Sequence, residues 1–404
     1  MKKFLRYDIM FVVLLFFLCV PAEYHEIFSL FEDQTIVFRH GMRSGFNDQK
    51  KMSFLYDKVV LVTIDEVFFE EYGKFPLKRE DLSKIIDNLD RLGAKVICVD
   101  LLMDMPGAYG EDPLLAKILE QSGAILASRA LFDSDDLFQK LSYPTLLLKN
   151  ASSSGYVNLT STSSADTFLS RLRIHPEITE LEDGWPIAIQ AVSKYLGTKP
   201  LLQEKMLKFG KLSIPLDQFN DIYIDFSPVP EDYRFLHQLA GITAFEFLDI
   251  AGLDIYEKRE LKDWVENKIV IIGETTAISH DWFDTPAGMV YGAEIIADTV
   301  STLLKGAPLR PASLASEIMT SLLFLLSVIL CVSLIRNPLL QTLAAGILFA
   351  GFIFICTVLY VYVGVVISMT YNLITGFFGY FVLSLSSYFR ERKYQGKNYH
   401  EKNR

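Results

Sequence analysis

The fold is decided by the stretch KIVIIGETTAISHDWFDTPAGMVYGAEIIADTVSTLL, residues 268–304. It begins with an apolar run at 269–272, which predicts a short buried strand ended by Gly273. A polar loop follows and includes DWFDTP at 281–286. After Gly292, apolar residues recur at helical spacing to the end of the stretch. A strand, a polar loop and a helix in this order predict an α/β fold with a largely parallel sheet flanked by helices.

A second unit of this kind lies towards the N-terminus. Residues 59–65 form a β-branched run that predicts a buried strand, and residues 95–102 predict another. Between them, residues 79–93 place Leu and Ile on one face of an amphipathic helix, and residues 66–78 predict a connecting segment. Strand, helix and strand together predict one βαβ unit.

The remaining stretches between residues 23 and 312 carry weaker patterns, which we assign to one soluble domain. The predictions are a helix or strand followed by a loop at 23–58, a helix at 112–122, a strand at 124–127, surface loops at 131–166, a helix at 184–197, a strand at 222–226, a helix at 243–253 and a solvated helix face at 257–266.

The C-terminal third contains three apolar blocks, residues 318–335, 339–363 and 365–389. Residues 337–389 include no Asp, Glu, Lys or Arg. Because about 20 apolar residues span a bilayer core, each block predicts a transmembrane helix. Residues 1–22 combine a basic start with a shorter apolar run. This pattern fits either a retained transmembrane anchor or a cleaved signal peptide.

Charge indicates which side of the membrane each part occupies. Residues 1–8 carry three basic and one acidic side chain, residues 390–404 carry six and two, and Arg336 lies between the first two blocks. Basic residues stay on the cytoplasmic side, so we expect both termini and Arg336 there. The acidic domain at 23–312 is then extracytoplasmic. The basic tail at 390–404 contacts either a protein partner or anionic membrane lipid.

Seven acidic residues lie at the ends of the predicted strands or in the polar loop. They are Asp65, Glu66, Asp100, Asp104, Glu274, Asp281 and Asp284. Open α/β sheets bind ligands outside the carboxyl ends of their strands, so these are candidate binding residues for a small molecule or a hard cation. The alternative is that each carboxylate caps a helix or ties a loop.

Signatures of common enzymes are absent. No GxxxxGK[ST], GxSxG or HExxH motif occurs, and His280 has no second His or Cys at ligand spacing. We therefore expect no catalytic residue, no bound metal and no cofactor. The acidic domain also argues against nucleic acid as a partner, since such binding needs clusters of Lys and Arg. Cys98, the single cysteine of residues 23–312, is expected to be a buried small hydrophobe.

Several stretches match one known family in order and spacing. They are VVLVTIDE at 59–66, GKFP at 73–76, AKVICVDLLMDMP at 94–106, GYVNL at 155–159, KIVIIGETT at 268–276, DWFDTP at 281–286 and GAEIIADTVSTLL at 292–304. Together they resemble the CHASE2 domain, the extracytoplasmic sensory module of bacterial membrane receptors, over residues 24–312.

The resemblance implies a multi-pass receptor of the bacterial inner membrane. Its outer domain is expected to bind an unknown small-molecule or protein cue, and a homodimer is also implied. The sequence ends fifteen residues after the last apolar block, so we expect the signal to reach a separate cytoplasmic protein. Two other functions stay open: an envelope scaffold that senses nothing, and a metal hydrolase built from the carboxylates.

Overall fold

The computed structural model describes residues 7–25, 27–134, 137–159, 168–229 and 234–402. The chain divides into two compact units. The sheet unit comprises Ser44–Arg310, and the helical unit comprises Met1–Arg43 together with Pro311–Arg404. A β-sheet organises the described part of the first unit, and long apolar helices organise the second.

Helices and strands alternate through the sheet unit, whereas helices dominate the helical unit. The helices are α1 Tyr7–Tyr24, α2 Ser29–Lys58, α3 Glu66–Tyr72, α4 Arg79–Arg91, α5 Asp112–Ser122, α6 Leu146–Ala151, α7 Pro176–Thr179, α8 Ile187–Leu196, α9 His237–Ala240, α10 Ile255–Val265, α11 Gly292–Leu304, α12 Leu314–Leu334, α13 Pro338–Val358 and α14 Thr370–Lys402. The strands are β1 Val59–Ile64, β2 Val96–Leu102, β3 Ile125–Phe132, β4 Phe138–Ser142, β5 Ser153–Tyr156, β6 Arg171–Arg173, β7 Leu201–Gln203, β8 Met206–Phe209, β9 Leu212–Pro215, β10 Asp221–Tyr223, β11 Gly241–Thr243, β12 Ile269–Glu274, β13 Trp282–Thr285, β14 Gly288–Tyr291, β15 Arg310–Pro311 and β16 Val365–Val366.

The central sheet has the strand order β11–β1–β12–β2–β3–β4, and β5 also pairs with β3. Every pair is parallel except β3–β4. The predicted mixed α/β fold with a largely parallel sheet is therefore confirmed. The register places Gly273 of β12 beside Thr63 of β1 and Asp100 of β2, so the carboxyl ends of these three strands lie level.

Alternate residues of the central strands pack on opposite faces of the sheet. Leu61 and Ile271 belong to the core that includes α8 and α11. Val62 and Ile272 belong to the core that includes α4 and α5. Because both faces of the sheet are covered, the sequences of these strands are continuous apolar runs. Burial of each such side chain contributes about 1.5–3 kcal/mol to the stability of the fold. Cys98 is buried as predicted, and burial raises the pKa of its thiol to about 12.

The helices with strong amphipathic patterns form close to their predicted bounds. Helix α4 buries Leu82, Ile85, Ile86 and Leu89, and α5 has the bounds that the sequence predicts. Gly123 ends α5 in a left-handed conformation, with a φ of 62°. The charged run at 257–266 lies in α10, as predicted for a solvated helix face.

The surface loops predicted at 131–166 contain three regular elements instead, namely β4, α6 and β5. Strand β5 has the sequence SSGY, in which apolar and polar residues do not alternate. The sequence therefore carries no period-2 pattern that would predict a strand there. Its backbone packs closely: a Cβ added at Gly155 would lie 2.6 Å from Ile187 Cα. Tertiary packing rather than strand propensity therefore selects β5. The part of this prediction at 160–166 lies outside the described residues.

Four other local predictions are wrong in type or extent. The connection at 66–78 contains α3, which Asp65 caps and Gly73 ends. The polar loop around 281–286 is the β13–β14 hairpin. The helix predicted at 243–253 is only a 3₁₀ turn at Ala244–Phe247, and the strand at 222–226 is only the short β10.

Differences also occur at helix ends. The loop predicted in the second half of 23–58 is helical, because α2 runs without interruption to Lys58. The helix predicted at 184–197 begins later, at Ile187. The residue before it, Pro186, is the N-cap and has an extended backbone.

The helical unit contains two helices, among the described residues, that are long and apolar enough to cross a membrane. They are Leu314–Leu334 and Pro338–Val363, and the apolar helix Met10–Glu23 is shorter. The third predicted block, 365–389, is matched only in part. Gly364 ends the preceding helical turn in a left-handed conformation, and α14 begins at Thr370 and continues to Lys402.

Candidate functional site

The candidate site lies at the carboxyl ends of β1, β12 and β2. Glu274 pairs with Ile64, the last residue of β1, and Asp100 pairs with Gly273. Asp65 and Glu66 follow β1 directly. The parallel register therefore brings acidic residues from three separate stretches to one edge of the sheet.

Asp65 and Glu66 each have a local structural partner. The Asp65 carboxylate accepts hydrogen bonds from Phe68 N at 2.8 Å and Thr63 Oγ1 at 3.1 Å, which makes it the N-cap of α3. Glu66 Oε1 accepts from Ala277 N at 2.7 Å and so ties the segment after β12. At these two positions the carboxylates cap a helix and tie a loop.

Asp100, Glu274 and Asp281 interact electrostatically at this edge. All three are partly buried. Burial, with a further effect of the Asp281 carboxylate, raises the pKa of Asp100 to about 8. Burial and the nearby Glu274 also raise the pKa of Asp281. Among the described residues, no Lys or Arg forms an ion pair with these carboxylates, so their raised pKa values are not offset by a neighbouring positive charge.

Two glycines allow α11 to approach this group. A Cβ at Gly273 would overlap Ala293 Cβ, and a Cβ at Gly292 would overlap the Asp281 carboxylate. Asp281 also accepts a hydrogen bond from Gly292 N through its backbone oxygen at 2.9 Å. A larger residue at position 292 would therefore require the Asp281 side chain to move, because that side chain occupies the space of the added Cβ.

The last two candidate residues have different surroundings. Asp104 is exposed and accepts a hydrogen bond from Ser142 Oγ of β4 at 3.3 Å. Asp284 is exposed on the β13–β14 hairpin, where its backbone oxygen accepts from Leu169 N at 2.7 Å. Within the part of the chain that the structure describes, no three His, Cys, Asp or Glu side chains are arranged to hold a metal ion.

Aromatic side chains form a cluster on and around the hairpin that follows Asp281. Trp282 follows Asp281 and pairs with Tyr291 across the hairpin, with ring centroids 6.4 Å apart. His280 packs edge-on against Trp282, and Phe235 lies 4.7 Å from the Tyr291 ring. Trp282 is 36% exposed. An exposed aromatic side chain thus follows Asp281 directly in the chain, and aromatic rings are groups that attract organic cations.

A comparison with protein families supplies the context for this geometry. Residues 10–335, most of the chain, match one family, described as the CHASE2 domain. The chain belongs to the CHASE2 family. CHASE2 domains are extracytoplasmic sensory domains of membrane proteins. No curated protein and no solved structure matches the chain.

The CHASE2 fold here contains a second group of buried polar residues that sequence reasoning missed. Glu294 and Asp298 lie one turn apart on α11 and are almost fully buried. Glu294 accepts from His237 N at 2.6 Å, and Asp298 accepts from Ser227 Oγ at 2.6 Å. Burial raises the pKa of Asp298 to about 7. Their four-residue spacing was visible in the sequence, but the apolar residues around them indicated only a core helix.

Proposed function

We propose that the chain is a membrane-anchored sensor of an extracytoplasmic cue that signals through a separate cytoplasmic protein. Family membership supports the sensory role. The observation that carries the proposal is the group Asp100, Glu274 and Asp281, which lies partly accessible at the sheet edge without a cationic partner among the described residues. Asp65 and Glu66 have structural partners, so we assign the binding role at this edge to Asp100, Glu274 and Asp281.

The cue that suits this edge is a small organic cation. Carboxylates that repel one another gain most from a bound positive charge, and Trp282 offers it an aromatic face. Because the pKa of Asp100 is raised to about 8, binding of a cation is expected to displace a proton from this group. The affinity for a cation is therefore expected to rise with pH between about 6 and 8.

Contacts inside the helical unit support four membrane helices: α1, α12, α13 and the first part of α14. Val12 of α1 packs with Val332 of α12 and Leu383 of α14. At the same end, Gln341 of α13 bonds to Ser384 at 3.2 Å. The start of α1 and the α12–α13 turn thus lie beside the later part of α14.

This end of the bundle is the one enriched in basic residues in the sequence, and Arg336 lies in the α12–α13 turn. We therefore assign it to the cytoplasm, with the sheet unit outside. The packing of α1 against α12 and α14 also supports an N-terminal helix that is retained as an anchor.

The experiment that tests the proposed function is site-specific photo-crosslinking in native membranes, followed by mass spectrometry. One probe replaces Lys397 in the basic segment, and a matched probe replaces Asp104 at the exposed sheet edge. A cytoplasmic kinase, cyclase or regulator attached through position 397 supports the sensor. Envelope proteins attached through position 104, with nothing attached through position 397, would contradict it and favour a scaffold.

A further inference from the structure

The first half of α2 carries a buried network of charges in the helical unit. The Arg39 side chain is fully buried and donates to Glu32 Oε1 at 2.8 Å and to Thr35 O at 3.1 Å. Thr35 Oγ1 also bonds to Glu32 Oε1 at 3.0 Å. These residues lie one turn apart on one face of the helix, so α2 fixes both charges in place.

This network reaches across to the segment that precedes α14. Glu32 Oε2 accepts from Met369 N at 2.9 Å and from Thr370 N at 2.8 Å. Arg39 Nη1 donates to Ile367 O at 2.9 Å. Backbone N–H groups at a helix start have no partner within the helix, and a carboxylate is the group that best satisfies them.

A second arginine of α2 holds the other side of the same connection. Arg43 Nη1 donates to Tyr360 O at 3.1 Å and to Val361 O at 2.7 Å, in the π-helical turn Leu359–Val363. Positive side chains thus meet carbonyl groups and a negative side chain meets N–H groups. Each of these three charges faces a backbone group of opposite polarity, so the contact is specific in register.

The two helices joined by this network have distinct destinations. Helix α2 ends at Lys58, and the next residue, Val59, begins β1 of the central sheet. Helix α14 begins at the residues whose N–H groups bond to Glu32, and it continues through the basic segment to Lys402. Helix α2 therefore leads into the sheet, and its side chains bond to the start of α14, the helix that carries the basic segment.

We propose that Glu32 and Arg39 are positioning residues through which α2 sets the placement of α14. This inference rests on the proposed sensor function, because it describes how a change in the sheet reaches the basic segment. With the network intact α14 is held in one register, and with the network broken α14 is released along its length.

The test is hydrogen exchange, read by mass spectrometry, on the full chain in nanodiscs of phosphatidylethanolamine and phosphatidylglycerol. The variants are Glu32→Gln, Arg39→Met and the double variant. The double variant leaves no unpaired buried charge, so it can be measured if a single variant fails to fold. Exchange of the Met369 and Thr370 amides is expected to increase by about tenfold or more, equivalent to about 1.4 kcal/mol. Exchange is also expected to increase in the distal part of α14, beyond Phe389.

Two controls separate positioning from general destabilisation. Thr342→Val removes the hydrogen bond between Thr342 and Tyr380 at 2.8 Å, elsewhere on α14, and should leave the Met369 amide protected. Arg39→Lys keeps the charge but loses the planar fork, so its exchange should lie between wild type and Arg39→Met.

Unchanged exchange at Met369 and Thr370, or an increase confined to these amides while the rest of α14 stays protected, would overturn the inference. No cue is needed for the measurement, so failure to find a cue for the sheet unit leaves this result standing by itself.

Discussion

Two groups of buried charge, one in each unit, differ in how they are compensated. In the helical unit, Glu32 faces Arg39 and the N–H groups at the start of α14, so its charge is compensated within the protein. In the sheet unit, Asp100 and Asp281 face each other and Glu274, and burial raises the pKa of both aspartates. A compensated charge holds one conformation, whereas an uncompensated group responds to pH and to cations. This contrast suggests that one network keeps structure and the other receives a cue.

Arg39→Met is expected to have the largest effect on stability. It leaves Glu32 without its buried partner, and the free energy of unfolding should fall by about 3–5 kcal/mol. Thermal unfolding of the full chain in nanodiscs measures the change. The matched control is Lys84→Met, because Lys84 is 48% exposed and pairs with Asp81 at the surface; its loss should cost less than about 1 kcal/mol. If Arg39→Met and Lys84→Met lower the stability equally, the buried charge of Glu32 does not depend on Arg39 for compensation.

Gly292→Ala tests how closely α11 approaches the uncompensated group. The added methyl overlaps the Asp281 carboxylate, so stability should fall by about 1–3 kcal/mol. The double variant Asp281→Ala/Gly292→Ala should recover most of this loss. Gly41→Ala is the control, since nothing lies within 4 Å of its Cβ position. If Gly292→Ala is as stable as wild type, Asp281 does not lie against the start of α11.

Asp100→Asn is expected to change how stability depends on pH. The folded protein keeps the Asp100 proton up to about pH 8, whereas the unfolded chain releases it near pH 4. Stability therefore falls as pH rises through this window, and the amide removes the fall. At pH 8 the variant should be more stable by about 1–2 kcal/mol, after allowance for partial exposure.

At pH 4 the Asp100→Asn variant and wild type should match, as measured by chemical denaturation at each pH. Asp104→Asn, at an exposed position, should show no such change. A wild-type stability that rises between pH 4 and 8 by the action of Asp100 would contradict the assignment.

Asp65→Ala is expected to have the smallest effect. Loss of the α3 cap should lower the free energy of unfolding by about 1 kcal/mol, and Asp65→Asn should restore it because an amide oxygen also caps. If Asp65 instead contributes to a charged site, Asn will not substitute for it in cation binding. Equal stability of the Ala and Asn variants would argue against the capping role.

The sequence predicted the elements whose signals are local. The β-branched runs of β1 and β12 and the amphipathic faces of α4 and α5 need no tertiary information. By contrast, the SSGY segment of β5 has no strand pattern of its own. It forms a strand only because β3 and the start of α8 leave space for residues with small side chains. The short α3 was missed because Gly73 and Pro76 suggested a turn, although Asp65 carried the cap signal.

The candidate site was predictable to a similar extent. Acidic residues at the carboxyl ends of parallel strands converge, as Asp100 and Glu274 do, because the register of β2 and β12 is fixed by their buried faces. The position of Asp104 could not be predicted from local patterns, because it lies beyond the end of β2, after an irregularity in the pairing of β2 with β3. Residues held by distant contacts, such as Glu294 with His237, were also beyond local patterns.

Thermal unfolding in the presence of small organic cations tests the central claim most directly. Trimethylammonium, ethanolamine and spermidine are added separately to the full chain in nanodiscs at pH 6 and pH 8, beside the variant Asp100→Asn/Asp281→Asn. At least one cation should raise the midpoint of wild type, more at pH 8 than at pH 6, and leave the variant unchanged, because binding to the folded state alone stabilises it. No stabilisation by any of them, or equal stabilisation of the variant, would contradict a cation-sensing edge.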